Sequence, residues 1–133
     1  MNQANQAASA MAYKNQQIMT ASPAELTLML YNGAIRFTTE SILALEKGDI
    51  SKSHNANIRA QNIVREFMCT LDMQYEISQN WAALYEYIHY RLIQGNIKKD
   101  KEMLVEAKGL LTDLRDAWHG AMKAVRMPEV VGK

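Results

Sequence analysis

His54, His89, His119 and Cys69 are the side chains best equipped for chemistry here, and their spacing supplies little of it. A helical bundle can hold a pair of metal ions through Glu-x-x-His pairs joined by further carboxylates. Glu86-Tyr-Ile-His89 has that spacing once, and Asp116-Ala-Trp-His119 is a poor second copy. Glu40 and Glu66, the carboxylates left to complete such a site, fall off the apolar stripes of their helices. These residues therefore read as surface groups. Cys69 has no identifiable base nearby to activate it. No glycine-rich phosphate loop and no nucleophile elbow occurs. A formal net charge of +1, without aromatics interleaved in a basic patch, argues against nucleic-acid binding. The expectation is a non-enzyme with no cofactor and no metal.

Function must then come from surfaces, which the helices position. The chain has 133 residues, 48% of them apolar and only 2 of them proline, enough for one helical core. No run of apolar residues reaches membrane-spanning length, and the N-terminus lacks the layout of a signal peptide. A cytoplasmic protein without membrane insertion is expected. Residues 1–21, rich in Asn, Gln, Ala and Ser, read as a flexible segment. Residues 22–126 carry four amphipathic periods, broken at Gly48-Asp49, at 72–76 and at Gly95-Asn96. Pro128 closes the last one, leaving 127–133 as a flexible tail. Short connections make consecutive helices antiparallel, so the spacing predicts an all-α fold, an antiparallel up-down-up-down four-helix bundle. Leu30, Phe67, Leu84 and Leu114 are expected in its core, with Ile77 and Val125 on the same stripes.

The stretch Ser22–Lys47 has two apolar sides. Leu26, Leu30, Gly33, Phe37 and Ala44 share one face, assigned here to the core. Leu28, Tyr31, Ile35 and Ile42 lie nearly opposite and are assigned to a partner. The outer faces of the other helices add Ile58, Asn62 and Arg65, then Tyr87 and Tyr90, then Gly109 and Asp116. Gly109 lets another backbone come close. Together these positions describe grooves for partner helices. Met11, Tyr13, Ile18 and Met19 give the leading segment more apolar groups than an idle linker needs. They are assigned as a cap over the groove, with Tyr13 also a candidate partner contact. Two other readings of the same residues are a metal-binding bundle and a bundle that self-associates through the second stripe.

Leu26-Thr-Leu-Met-Leu-Tyr-Asn-Gly33, Ala60-Gln-Asn-Ile-Val64, Leu84-Tyr-Glu-Tyr87 with Arg91-Leu92, Asn96, and Leu114-Arg-Asp-Ala-Trp118 follow one another in order. Between about Tyr13 and Trp118 the chain closely resembles the flagellar secretion chaperones of the FliS type. The resemblance implies a cytosolic, non-enzymatic helical bundle that binds the disordered C-terminal segment of flagellin. It further implies that the bundle prevents premature polymerisation and helps deliver its client to export gate components. An N-terminal segment acting as a cap is also implied by the resemblance.

Overall fold

A computed structural model shows five helices: α1 (Asn2–Thr20), α2 (Pro23–Glu46), α3 (Ile50–Thr70), α4 (Glu76–Lys98) and α5 (Lys101–Val131). The structure describes residues 2–71, 73–74 and 76–131, with side chains for all of these except 2–7, 17, 76–77 and 125–131. The expected core positions Ile77 and Val125 lie outside the described side chains.

Local chemistry sets the helix ends. Ser22 caps α2 by accepting the Glu25 N–H at 3.2 Å, and its hydroxyl donates to Glu25 Oε1 at 3.0 Å, with Pro23 in the first turn. Gly48 closes the helix at φ 79, a left-handed conformation that suits glycine. The Asp49 N–H then returns to the Ala44 carbonyl at 2.9 Å and the Gly48 N–H to that of Leu45 at 3.1 Å. Asp49 caps α3 through the Lys52 N–H at 3.1 Å. At the end of α4 the left-handed position is occupied by Lys99, at φ 53, and the Asp100 N–H bonds the Gly95 carbonyl at 2.9 Å. The helix therefore continues past the expected stop at Gly95-Asn96, because the reversal occurs four residues later.

Gly95 has a packing role instead. A Cβ built there would stand 2.7 Å from Leu104 Cδ2 and 3.1 Å from Met103 Cβ, so the absence of a side chain lets α4 and α5 close on each other. Gly95→Ala is expected to destabilise the domain by about 1–3 kcal/mol through overpacking, despite alanine's better helix propensity. A urea titration followed by circular dichroism measures it, and a stabilised variant would contradict the packing role.

α2 packs on α3 and α5, and α4 on α3 and α5, a ring of antiparallel neighbours in the expected up-down-up-down order. One end of the ring is aromatic. Tyr31, Phe67 and Tyr85 form an aromatic row from α2 through α3 to α4, Tyr31 tilted on Phe67 and Phe67 stacked on Tyr85 with centroids 4.5 and 5.4 Å apart, and Trp81 meets Tyr85 edge-on at 6.2 Å. Trp118 ties α5 to the start of α2 by donating its indole N–H to the Ala24 carbonyl at 3.1 Å. The other end is polar. Ser41 and Ser53 exchange hydrogen bonds, Asn57 donates to the Leu92 carbonyl at 3.2 Å, and Asn96 meets His54 at 2.9 Å.

Several expectations need correction. Tyr31 and Ile42, assigned to the outer side of α2, are buried in the core, whereas Leu30, assigned to the core, is 37% exposed. The buried stripe of α2 runs through Tyr31, Ala34, Thr38 and Ser41. Small and hydroxyl residues allow close helix approach there, because the hydroxyls satisfy themselves: Thr38 donates to the Ala34 carbonyl at 2.8 Å and Ser41 to that of Ser53 at 2.8 Å. Residues 2–20 are helical, in keeping with the helix propensity of their Ala, Gln and Met residues. α1 nevertheless stays outside the ring of packed helices. Pro128 does not end the last helix, which runs to Val131 through part of the expected 127–133 tail.

Candidate partner-binding groove

A large apolar concavity lies where α2 meets α3, on the side nearest α1. Its floor is Leu26, Met29, Leu30, Gly33 and Phe37 of α2 with Ile63 of α3, and Lys14 and Ile18 of α1 stand at its rim. The space measures about 810 Å³, within the size range of ligand sites but open along one side like a trough. Gly33 keeps the floor low: a Cβ there would already touch Ile63 Cδ1 at 3.4 Å. α1 covers the trough only in part, since Ile18 is 45% and Met19 85% exposed. Such a surface recognises the apolar face of a helix or an extended apolar segment.

This groove takes in Leu26, Leu30, Gly33 and Phe37 of the face assigned to the core from sequence, whereas Ala44 of that face is buried as expected and Phe37 also packs against the core. Its residues are large, apolar and helically spaced, which is also the signature of buried positions. The available hint was Gly33 in mid-helix, on the same stripe as Leu26, Leu30 and Phe37. Leu28 and Ile35, of the expected partner-binding set, are half-buried, Ile35 against the core. Ile58, Asn62 and Arg65 line the exposed side of α3. Tyr87 and Tyr90 are exposed on α4, and Gly109 and Asp116 on α5. Open space surrounds the position of a Gly109 Cβ. Tyr13 and Met11 are exposed on α1. The outer residues are thus placed outward as expected but do not converge on one site.

Two of these outer positions belong to polar clusters. The Tyr87 hydroxyl donates to Glu106 Oε1 at 2.7 Å, and Arg91 makes an ion pair with the same carboxylate at 2.5 Å, linking α4 to α5. That hydrogen bond to a carboxylate raises the Tyr87 pKa. His89 is held below the usual histidine range, first by burial and then by the Arg65 charge. Asp116 accepts the Arg115 Nε–H at 3.1 Å, while Arg115 Nη1 reaches Asn32 Oδ1 at 3.2 Å. A second, smaller cavity of about 340 Å³ opens at the aromatic end, walled by Phe67, Trp81, Tyr85 and Trp118.

Among the described residues, no three of His, Cys, Asp and Glu come together in a way that could hold a metal ion. Glu86 and His89 belong to no such cluster. Among the same residues no helix is long and apolar enough to cross a membrane.

Comparison with known proteins agrees with this architecture. Residues 4–125 match the model of the family described as flagellar protein FliS. The flagellar secretion chaperone FliS of Bacillus subtilis is 44% identical over 115 residues, 86% of this chain and 86% of the relative. That of Salmonella typhimurium is 36% identical over 104 residues, covering 76% and 77%. That of Escherichia coli is 29% identical over 104 residues, covering 76% of each.

Proposed function

Because this chain belongs to the FliS family of flagellar proteins, we propose that it is an export chaperone that binds the C-terminal segment of flagellin through the α2–α3 groove. The observation that carries this reading is the exposed apolar floor of that groove, incompletely covered by the chain's own α1. An amphipathic client segment laid there hides the apolar face through which filament subunits associate. Premature polymerisation is thereby blocked until the client reaches the export gate. Folding on binding costs the client about 2–5 kcal/mol, which keeps a complex of this kind releasable. Ile58, Asn62 and Arg65 on α3, and Tyr87, Tyr90, Gly109 and Asp116 on α4 and α5, offer further contacts for a client that wraps the bundle. The work takes place in the cytoplasm, where flagellin is made. Neither catalysis nor a cofactor takes part.

Binding of full-length flagellin, with no binding of flagellin lacking its C-terminal segment, is the expected result of titration calorimetry. Equal binding of both would overturn the assignment.

α1 acts as a competing cap in this scheme. Met11, Tyr13, Ile18 and Met19 sit on a helix joined to α2 by only Ala21 and Ser22, so their effective concentration at the groove is on the order of mM. If α1 occupies the groove for half to nine-tenths of the time, removing it raises affinity about two- to tenfold. Deletion of residues 1–20 is therefore expected to tighten flagellin binding and to increase the fluorescence of the apolar dye ANS. Weaker binding after the deletion would assign Tyr13 to direct client contact, and no change in either readout would remove α1 from the mechanism.

A further inference from the structure

The groove has a sign. Arg36 and Arg59 approach the ring of Phe37 from α2 and α3, their guanidinium carbons 4.9 and 5.6 Å from its centroid. Phe37 and Arg36 both line the trough, so Arg36 borders the place where a partner helix would rest, while Arg59 reaches the same ring from the polar hollow beside it. Neither arginine takes part in an ion pair among the described residues, whose ion pairs are Arg91–Glu106, Lys101–Glu46 and Arg115–Asp116. The trough itself is lined by two cations, Lys14 and Arg36, and by no carboxylate. Glu40, one turn beyond Arg36, faces a separate polar hollow with Asp49 and Arg59.

The segment now nearest the groove does not match that charge. α1 contains Lys14 and no acidic residue, so it brings a further positive charge to a positive rim. Its apolar groups suit the floor and its charge opposes the border, which accords with its loose placement outside the ring of packed helices.

Building on the client-binding reading above, we infer that the groove selects an amphipathic partner helix carrying carboxylates along one flank, set to meet Arg36 and Arg59, over its own charge-mismatched α1. Apolar burial attracts α1 and client alike, whereas the rim rewards only the client. Electrostatic complementarity of this kind sets partner choice and association rate more than total affinity. Both arginines stack on an aromatic face, which holds each guanidinium in position before the partner arrives.

The test is titration of the full-length chain with the flagellin C-terminal segment at about 50 mM and 500 mM salt, a range over which surface charges become screened. Arg36→Gln with Arg59→Gln is expected to weaken binding about five- to tenfold at low salt and to remove most of the wild type's salt dependence. Lys14→Glu is the counterpart. It supplies α1 with the missing carboxylate beside Arg36, so client binding should weaken about two- to fivefold at low salt while the arginines remain intact. Circular dichroism confirms that each variant is folded. Salt-independent binding by the wild type, or unchanged affinity in the folded double variant, would overturn the charge selection while leaving client binding standing. A wild-type chain that binds no flagellin segment at either salt would overturn both readings.

Discussion

Tyr31→Ala is expected to lower the stability of the domain by about 3–5 kcal/mol, the range for truncating a fully buried aromatic side chain. Tyr31 is 0% exposed, packs its ring at a tilt against Phe67, and shares a hydrogen bond with the Tyr85 hydroxyl at 2.5 Å. The milder Tyr31→Phe separates packing from the hydrogen bond. It leaves the Tyr85 hydroxyl buried without its partner, at a cost of about 1–3 kcal/mol. Adding Tyr85→Phe removes that orphan, so the double variant should be closer to wild type than either single one. Urea denaturation of the four proteins gives the coupling energy directly. Additive losses would mean that the two hydroxyls do not act as a pair.

The same pair predicts an alkaline limit. Burial, and secondarily the bond to Tyr85, hold the Tyr31 hydroxyl protonated far above the ordinary 10.0 of tyrosine. Burial also raises the Tyr85 pKa, against the opposing effect of its bond to Tyr31. The unfolded chain ionises first, so this contribution is complete below about pH 10 and is lost as pH rises beyond it. Stability should therefore fall more steeply above pH 10 in the wild type than in the double phenylalanine variant.

Leu30→Glu produces the opposite kind of result. The side chain is already 37% exposed on the groove floor, so the charge finds water and the bundle keeps its helicity and melting temperature to within a few degrees. Flagellin binding, however, should fall about 30- to 1,000-fold, corresponding to about 2–4 kcal/mol at the centre of an apolar interface. The new carboxylate would be stripped of water beneath the client's apolar face. Calorimetric titration of flagellin's C-terminal segment reads the loss, and the melting curve supplies the control. A folded variant with unchanged affinity would remove the α2–α3 groove from client binding. Together, Tyr31→Ala and Leu30→Glu separate scaffold from binding surface one residue apart on a single helix.

That neighbouring pair also shows where sequence and tertiary structure divide the information. Helix positions were legible because their signals are local. Ser22 with Pro23 and Glu25, Gly48, and Asp49 act on backbone groups within a turn of themselves. Four amphipathic periods with short connections leave an antiparallel bundle as the economical arrangement, and the motifs from Leu26 to Trp118 point to the family that the comparisons support.

The core face of α2 was not legible. Its two candidate faces both carry large apolar residues, and periodicity counts such residues without knowing what stands opposite them. The choice depends on neighbours more than fifty positions away in the case of Tyr85, and twelve away in that of Ser53. Tyr31 is core because Phe67 and Tyr85 complete its packing and hydrogen bonding, and Ser41 is core because Ser53 satisfies its hydroxyl. Leu30 faces outward because the ring of α3, α4 and α5 closes on the other side, while Phe37 sits at the boundary, packed against the core and lining the groove. Local sequence determined that helices form and where α2 begins and ends. Only the assembled bundle decided which apolar stripe it would bury and which it would leave open for a partner.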